Sequence, residues 1–454
     1  MLEMSYQGLT GEVITRYDRE YEEARQEWNQ AIQKFPLVIV YCYTKWDVSN
    51  AIIWARKNCI EIRIRSGGHH YEGYSIGNRV LVIDISRMNR MQLNENKHTL
   101  KVQGGVKNKQ VYDFISAKEY PFPGGTCPTV GVSGYTLGGG WGYLSRYLGL
   151  GCDSLLELEL IDYTGRLIIA NEKSHKDLFW ACCGAGGGNF GVVVSMTFKL
   201  PPKVDKVTLV EIYWPDALLE THREFLYRWQ EWMINLDNRM TLGASIYNSE
   251  TEEMAIYGRG IFYGKPEEAE EILQMLISID GVKMSLEYIT FFEAMTKLQS
   301  SYPESEMFKS AGRFVYQDYD EQEINAIVDL IQERAAGSIF AAVSLYVLGG
   351  KVKEVPKEAT AFYYRDAKYI MGIQTIWEDA KFAKDNIKWM EQSFKYIESI
   401  TEGSFVNFPY SGLKDYEEAY YGSNAKKLRK VKEKYDPLNV FSFPQGVTKC
   451  HSSA

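Results

Sequence analysis

The chain has 454 residues, 45% of them hydrophobic, and a formal net charge of −8 at pH 7. This length exceeds what one hydrophobic core usually serves and predicts two domains, while the acidic balance without a basic block argues against a nucleic-acid or anionic-lipid partner. The seven cysteines are odd in number and unevenly spaced, which is unlike a secreted disulfide framework and favours a reducing compartment.

The N-terminal residues 1–29 are charged and lack the apolar core of a signal peptide. The longest apolar run, near residues 339–348, is far too short to cross a bilayer. We therefore expect a soluble, cytoplasmic protein without a membrane partner.

The first 202 residues combine short β-branched and aromatic runs with a helical pattern at residues 45–57, where Ile52, Ile53 and Ala55 are expected near the buried side. The predicted strands of this region are residues 36–43, 79–85, 99–103, 155–162 and 166–170. Two prolines at residues 201–202 close the region.

After residue 202 the pattern changes to long helices between strands of alternating polarity. The predicted helices are residues 217–236, 266–277 and 321–333, and the predicted strands are residues 240–247, 254–263 and 339–347. This order predicts an antiparallel sheet backed by helices. His222 lies on the apolar face of the first helix, so we interpret it as a packing residue and not as a catalytic one.

Two glycine-dense stretches each carry one nucleophilic side chain. Residues 65–73 read RSGGHHYEG and contain His69, and residues 124–140 read GGTCPTVGVSGYTLGGG and contain Cys127. Glycine lets backbone N–H groups approach a ligand closely and adopts positive φ without strain, so such loops can enclose a pyrophosphate and a flavin ring. Together the two stretches predict FAD held by covalent bonds.

A third glycine cluster, residues 186–191 (GGGNFG), matches the dinucleotide pattern G-x-G-x-x-G. That pattern requires a helix to begin at its last glycine, whereas residues 192–198 (VVVSMTF) have the β-branched composition of a strand. We therefore reject a nicotinamide-type turn and interpret the cluster as a close approach of the backbone to FAD.

These stretches resemble the berberine bridge enzyme-like family of FAD-linked oxidases, within the vanillyl-alcohol oxidase (PCMH-type) flavoprotein superfamily. The resemblance also covers residues 162–191 and three C-terminal segments, residues 419–424, 434–441 and 444–445, so it spans nearly the whole chain. Because the signal peptide of plant members is absent, the chain is more similar to a bacterial member. Some bacterial relatives occur in spore coats, which makes spore-coat association a second expectation for its location.

The resemblance implies an α+β fold with two lobes. A PCMH-type FAD-binding domain would comprise residues 1–202 and 406–454, and it would be split by a substrate-binding domain at residues 203–405 that holds the antiparallel sheet backed by helices. The C-terminal segment would then complete the cofactor lobe.

For the cofactor, the resemblance implies a double attachment of FAD, from His69 to the 8α-methyl carbon of the flavin and from Cys127 to its C6 atom. Tyr135 replaces a histidine of plant members, and its phenol can still donate a hydrogen bond near the flavin N1 side. At His70, where family members carry varied residues, we favour a solvent or packing role. We predict no metal site. The other implied FAD-binding positions are Arg65, Ser66, Gly67, Gly68, His70, Thr126, Thr129, Val130, Gly131, Gly134, Tyr135, Gly138, Gly139, Gly142, Gly188, Asn189, Gly191, Val193, Tyr421 and Asn439.

The activity that the resemblance implies is oxidation of an alcohol or hemiacetal of a bulky substrate, an oligosaccharide or a secondary metabolite, by hydride transfer to flavin N5. Val130, three residues after Cys127, is the residue type that accompanies oxygen reactivity in this family. We therefore expect a small-molecule substrate and molecular oxygen as partners, with H2O2 as the coproduct.

The catalytic base departs from the family pattern. In many members a tyrosine in an N-Y-x-D stretch is the base, whereas residues 407–410 read NFPY, and Phe408 cannot accept a proton. Tyr410 lies two residues further on, which in a strand returns it to the same face. It is our leading candidate for the base.

Other family positions imply contacts with the substrate. They fall on Tyr71, beside the histidine attachment, on Gln374 and on Tyr364, with core packing as the alternative for each. At Ile370 an acidic residue of some members is replaced by an apolar one.

Two other functions stay open. Without the acidic residue and the usual tyrosine base, the chain could be a flavin dehydrogenase or an oxidative cyclase of a natural product. Phe408 also leaves room for a catalytically weak, structural flavoprotein such as a spore coat component.

Overall fold

The computed structural model describes residues 5–450, and its first 200 residues contain two of its three β-sheets. The strands and the helix predicted for this region are confirmed to within two residues at each end. The elements are, in chain order, β1 (Glu12–Thr15), α1 (Tyr21–Ala24), β2 (Val38–Tyr41), α2 (Lys45–Lys57), β3 (Ile62–Arg65), β4 (Leu81–Asp84), β5 (Met91–Asn94), β6 (Thr99–Gln103), α3 (Asn108–Ser116), α4 (Val132–Leu137), α5 (Ser145–Leu148), β7 (Leu155–Ile161), β8 (Leu167–Asn171), α6 (Lys176–Ala181) and β9 (Val192–Lys199).

The rest of the chain begins with a long strand and alternates strands with helices. Within residues 5–450, no helix combines the length and the apolarity that crossing a bilayer needs. The remaining elements are β10 (Lys206–Trp214), α7 (Leu219–Met233), β11 (Met240–Ser249), β12 (Glu253–Phe262), α8 (Pro266–Ile277), β13 (Lys283–Thr290), α9 (Phe291–Ser300), β14 (Met307–Val315), α10 (Glu321–Gln332), β15 (Ser338–Val347), α11 (Lys351–Glu354), β16 (Tyr369–Trp377), α12 (Ala383–Ser399), β17 (Glu402–Ser404), α13 (Tyr416–Tyr421) and α14 (Ala425–Tyr435).

The first sheet has the order β1-β2-β4-β3, with β2, β4 and β3 parallel and β1 antiparallel to β2. Helix α2 packs against it and begins with a capping box, in which Thr44 and Asp47 each accept the other's backbone N–H. Ile52 and Ala55 are buried as predicted, but Ile53 is 48% exposed. The prediction for Ile53 is wrong because adjacent helical residues lie about 100° apart around the axis.

The second sheet is antiparallel, in the order β5-β6-β9-β7-β8. Strand β9 lies at its centre and begins directly after the glycine cluster at residues 186–191. The prediction that a strand and not a helix follows these glycines is therefore confirmed.

The third sheet has eight antiparallel strands in the order β13-β10-β12-β11-β15-β16-β14-β17. Helices α7, α8, α10 and α12 pack on it and share one hydrophobic core with its strands. The prediction of an α+β chain with an antiparallel sheet backed by helices is confirmed. In α7, His222 is fully buried and both its ring nitrogens lie near backbone carbonyls, of Leu218 at 2.9 Å and Ala255 at 3.3 Å, as a packing role requires.

The C-terminal segment returns to the first region of the chain. Residues 405–408 form a turn, in which the Phe408 N–H donates to the Phe405 carbonyl at 2.9 Å, and residues 409–410 are irregular, which corrects the strand assumed for Tyr410. In α14, the buried Lys432 donates to the Asn189 carbonyl at 2.7 Å and thereby ties this helix to the glycine cluster. The domain boundaries at residues 202 and 406 stay a prediction.

Candidate active site

A cavity of about 560 Å³ lies between the glycine-dense loops and the third sheet. One wall is formed by residues 66–71, 125–127, 130–131, 133–135, 185–189 and 191 of the loops and of the start of α4. The opposite wall is formed by side chains of the eight-stranded sheet, and residues 405–409 close one side. Most of the positions predicted to bind FAD line this cavity: Ser66, Gly67, Gly68, His69, His70, Thr126, Cys127, Val130, Gly131, Gly134, Tyr135, Gly188, Asn189, Gly191, Val193 and Tyr421.

The loop that carries His69 is anchored by Arg65, the last residue of β3. Its buried guanidinium forms an ion pair with Asp84 at 2.5 Å and lies 3.6 Å from Glu27. It also donates to the carbonyl of Ala24. Arg65 therefore holds the start of the loop and does not line the cavity, which corrects its predicted contact with FAD.

His69 presents a neutral imidazole to the cavity. Its ring stacks on Trp28 with centroids 5.0 Å apart, and its Nε2 lies 2.8 Å from the Thr129 hydroxyl. Burial, helped by the charge of Lys107, lowers the pKa of His69 to about 3, so the ring carries no charge at neutral pH. Within the described residues, Nδ1 has no hydrogen-bond partner and is free to react.

Cys127 lies on the opposing loop, and its Sγ is 3.8 Å from the same Thr129 hydroxyl. Burial raises the pKa of the thiol, while N–H groups of the Thr129 and Val130 backbone act in the opposite direction. Thr129 does not itself line the cavity. This corrects the prediction that it contacts FAD directly. Its hydroxyl instead lies between the two nucleophiles.

Glycines bring the two loops together and leave their backbones open. A Cβ on Gly67 would lie 2.4 Å from the Gly131 nitrogen, and a Cβ on Gly131 would lie 2.3 Å from the Ser66 hydroxyl. A Cβ on Gly134, by contrast, would meet nothing within 4 Å. An open backbone beside a neutral histidine and a cysteine fits FAD, which needs close backbone contact and two nucleophiles for a double attachment.

Besides Arg65 and Thr129, four predicted FAD contacts lie outside the cavity and are corrected. A Cβ on Gly138 would clash with Asn407, one on Gly139 with Phe362 and one on Gly142 with the Gly124 carbonyl, so these three glycines permit close packing behind the loop. The fourth, Asn439, has a φ of +54° and lines a separate groove beside α2.

Two of the four predicted catalytic residues, Tyr71 and Gln374, line the cavity. The Tyr71 ring stacks parallel to Phe408 at 5.4 Å and meets Phe308 edge-on at 5.0 Å. Burial raises the pKa of Tyr71 well above its usual value of 10, so its phenol stays protonated. It can donate a hydrogen bond but is a poor base.

The other two, Tyr410 and Tyr364, lie outside the cavity, which corrects their assignment. The turn at residues 405–408 places Phe408 at the cavity, whereas the Tyr410 ring packs against Phe394 of α12, with ring centroids 4.2 Å apart. Burial raises the pKa of Tyr410 to about 12. Tyr364 stacks on Phe314 at 4.4 Å and donates to a backbone carbonyl of α13.

Glu306 lines the cavity and was missed by the sequence analysis. Its backbone is held against the N-terminal segment, where its N–H donates to the Trp28 carbonyl and its own carbonyl accepts from Gln30. In the part of the chain that the structure describes, its carboxyl has neither a hydrogen bond nor an ion pair, and burial raises its pKa to about 7. Its charge is felt by Cys127 and Tyr71. Its PESE context is typical of a surface loop and carried no signal.

Arg259 was missed as well. It belongs to β12, a strand that the sequence predicted, and its side chain lines the cavity together with Tyr143, Ser301, Tyr302 and Tyr346. Alternation along β12 would place Arg259 on one defined face of the sheet. The sequence alone did not show that this face borders a cavity.

Comparison with known proteins gives two family matches. Residues 36–171 match the FAD binding domain family, and residues 404–448 match the family described as berberine and berberine like. The chain is 36% identical to the uncharacterized FAD-linked oxidoreductase YgaK of Bacillus subtilis over 445 residues, which cover 97% of each chain.

Solved structures show the same fold. Wild-type BBE-like 1 of Physcomitrella patens is 26% identical, with 98% of each chain covered and a TM-score of 0.90. The glucooligosaccharide oxidase of Acremonium strictum is 20% identical, with 96% of this chain and 97% of that one covered and a TM-score of 0.88. The FAD of that oxidase is described as 6-S-cysteinyl, 8α-N1-histidyl FAD.

Proposed function

Because this chain belongs to the berberine bridge enzyme-like family of FAD-linked oxidoreductases, we propose that it is an oxidase with doubly attached FAD. Its substrate is an alcohol or hemiacetal of a bulky molecule, an oligosaccharide or a secondary metabolite, and O2 is reduced to H2O2. The observation that carries the proposal is the Thr129 hydroxyl, which lies 2.8 Å from His69 Nε2 and 3.8 Å from Cys127 Sγ. One side chain thus sets the spacing of two nucleophiles in one cavity.

His69 would hold FAD at its 8α-methyl carbon through Nδ1, because Nε2 is engaged by Thr129. The neutral ring keeps the lone pair that such an attack requires. The bond would replace one methyl C–H bond and the imidazole N–H bond by a C–N bond, and O2 would take up the two hydrogens and two electrons as H2O2. The histidyl linkage of the glucooligosaccharide oxidase supports this assignment.

Cys127 would hold FAD at its C6 atom in the same way. This bond would replace one ring C–H bond and the S–H bond by a C–S bond, with O2 again taking up two electrons and two protons. The thiolate is the reactive form. Burial disfavours it, and the Thr129 and Val130 backbone N–H groups stabilise it at the position where the bond forms.

Two attachments hold a cofactor without a deep, closed pocket, which leaves one side of the cavity for a bulky substrate. Bound at this site, FAD supplies the hydride acceptor at N5 and passes the electron pair to O2. Tyr71 and Gln374 contact the substrate from the wall, where the protonated phenol and the amide can hold its hydroxyl group.

Glu306 replaces Tyr410 as the proposed proton acceptor. A base must reach the substrate hydroxyl, and its pKa works best near the operating pH. Glu306 lines the cavity and has a pKa raised to about 7 by burial, whereas Tyr410 lies outside the cavity. No nearby cation competes for the carboxylate among the residues that the structure describes.

The experiment is a turnover assay of the purified holoenzyme on a panel of oligosaccharides and aromatic or terpenoid alcohols. O2 consumption and H2O2 release are measured in air, and reduction of a redox dye is measured under nitrogen. We expect one H2O2 per oxidised product, loss of turnover in His69→Ala/Cys127→Ala, and wild-type turnover in the exposed control Cys450→Ala. Turnover with dye alone would indicate a dehydrogenase or cyclase, and no turnover with either acceptor would indicate a structural flavoprotein.

A further inference from the structure

The sheet wall of the cavity presents one guanidinium, that of Arg259 in β12. Its Nε–H donates to the Tyr143 hydroxyl at 3.3 Å and one Nη1–H donates to the Ser301 hydroxyl. The Tyr302 ring lies 5.5 Å from its Cζ atom. These neighbours are neutral, so they position the guanidinium without cancelling its charge.

No carboxylate pairs with Arg259 within residues 5–450. Glu211 lies directly opposite it on β10, but Glu211 accepts a hydrogen bond from the Tyr257 hydroxyl at 2.5 Å instead. Arg63, which also lines the cavity, pairs with Glu61 at 3.1 Å.

Buried guanidiniums elsewhere in the chain are compensated in two ways. Arg65 and Arg365 pair with Asp84 and Asp153, whereas Arg146 and Arg313 each donate to at least three carbonyl, amide or hydroxyl oxygens. A cation withdrawn from water is costly unless such partners compensate it, and the half-buried Arg259 has neither a carboxylate nor a third acceptor among residues 5–450. The guanidinium has five N–H donors, of which Arg259 uses two, so three are left for a group inside the cavity.

The position of Arg259 favours the substrate as that group. The adjacent Tyr302 hydroxyl lies 2.6 Å from the hydroxyl of Thr126, the residue before Cys127. The guanidinium is therefore separated from the cysteine attachment loop by a single aromatic side chain. It lies on the sheet wall and not on the glycine loops that fit the phosphates of FAD.

We propose that the substrate of this enzyme carries a carboxylate, which Arg259 binds through a bidentate pair of charge-assisted hydrogen bonds. The inference rests on the proposed oxidase function and names the substrate class of that site. A single guanidinium with neutral neighbours matches the single charge of a carboxylate, whereas a phosphate group at neutral pH carries nearly two charges and is typically met by more than one donor cation. The oxidised carbon then lies on the flavin side of the same molecule.

The test begins with binding of unreactive and reactive probes to the holoenzyme, monitored by changes in the flavin absorption spectrum. Benzoate is compared with benzamide, and glucuronate is compared with glucose. We expect each acid to bind at least about tenfold more tightly than its neutral partner, since hydrogen bonds to charged groups are worth that much. Turnover of any oxidised acid is compared with turnover of its methyl ester.

Three variants then test whether the preference for acids over neutral probes depends on Arg259. Arg259→Gln should lose it, Arg259→Lys should keep part of it, and Arg228→Gln, which removes a surface arginine of α7, should leave it unchanged. Flavin content and affinity for the neutral probes should stay at wild-type values in all three. If Arg259→Gln does not fold, Arg259→Lys and the wild-type comparison still decide the question.

Three results would overturn the inference. They are a wild-type enzyme without preference for the acids in binding or turnover, a preference that survives in Arg259→Gln, or a loss of flavin in Arg259→Gln, which would assign the guanidinium to the cofactor. Failure of the proposed function is separate, because it would appear as missing H2O2 or unattached FAD in the wild type.

Discussion

The two walls of the cavity are built in different ways. The loop wall consists of consecutive residues whose backbones approach one another at Gly67 and Gly131, and its reactive groups are neutral. The sheet wall consists of single side chains from distant strands and connections, among them Arg259 and Glu306. Local sequence therefore specifies the cofactor half of the site, and strand register specifies the substrate half.

The largest expected effect tests the loop wall. In Gly131→Val, the new Cβ would lie 2.3 Å from the Ser66 hydroxyl and 2.9 Å from the Gly67 nitrogen, so the two loops must separate. We expect the flavin absorbance per protein to fall to background.

Gly134→Ala is the matched control for folding, because its Cβ meets no protein atom within 4 Å and α4 should gain up to about 1 kcal/mol of helix stability. We expect it to fold while binding less flavin, since its Cβ enters the cavity. Full flavin content in Gly131→Val would show that close approach of the two loops is not needed for binding of flavin.

The next effect tests the sheet wall. Glu306→Gln should lower kcat by about 10²- to 10⁴-fold, the usual contribution of a general base. In the wild type, kcat should rise as pH increases through about 7, because the base must be ionised, and this rise should disappear in the variant. Glu304→Gln, at an exposed neighbour, should behave as the wild type. An unchanged pH profile in Glu306→Gln would exclude this base.

Glu306 also predicts a pH dependence of stability with a defined sign. Burial raises the folded-state pKa of this group from 4.5 to about 7, so the folded protein binds the proton more tightly than the unfolded chain. The stabilisation is complete below pH 4.5 and is lost as pH rises through about 7. Unfolding by urea at several pH values should show this decline in the wild type and not in Glu306→Gln.

A smaller effect concerns the threonine between the two nucleophiles. Thr129→Val removes the hydroxyl near His69 and Cys127 with little change in shape, and a lost hydrogen bond of this kind is worth about 1 kcal/mol. We expect attachment of FAD to slow by about fivefold, as followed by acid-stable flavin over time, and Thr129→Ser to restore it. Equal rates in Thr129→Val and the wild type would show that the hydroxyl has no part in attachment.

The smallest effect is expected at Tyr410. Its phenol lies outside the cavity, so Tyr410→Phe should change kcat/KM by less than about twofold. Tyr71→Phe, inside the cavity, should lower kcat/KM more strongly. A large loss of activity in Tyr410→Phe would support Tyr410 as the catalytic base, as the sequence predicted.

Much of the fold could be predicted from the sequence, because hydrophobic periodicity and glycine composition act locally. Helix α8 has the predicted bounds, and β9 follows the glycine cluster as its β-branched residues required. The error at Tyr410 came from applying strand periodicity to residues 407–410, which lie at the end of a turn and in irregular backbone after β17. Backbone geometry beyond a short strand depends on what it packs against, and the sequence pattern does not contain that information.

The candidate site, like the fold, was predictable from the sequence only in part. The motif pointed to His69 and Cys127, which both line the cavity, but it could not separate glycines that face the cavity from those, such as Gly139, that pack behind the loop. Glu306 and Arg259 carry no local motif. They became visible only when the tertiary structure placed two distant charged residues in the wall of one cavity.

Double attachment of FAD is tested most directly by mass-spectrometric mapping of flavin-bearing peptides after acid denaturation of the purified wild-type protein. We expect a yellow precipitate, a colourless supernatant, and flavin mass on both the peptide with His69 and the peptide with Cys127. Flavin released entirely into the supernatant, with both peptides unmodified, would contradict it.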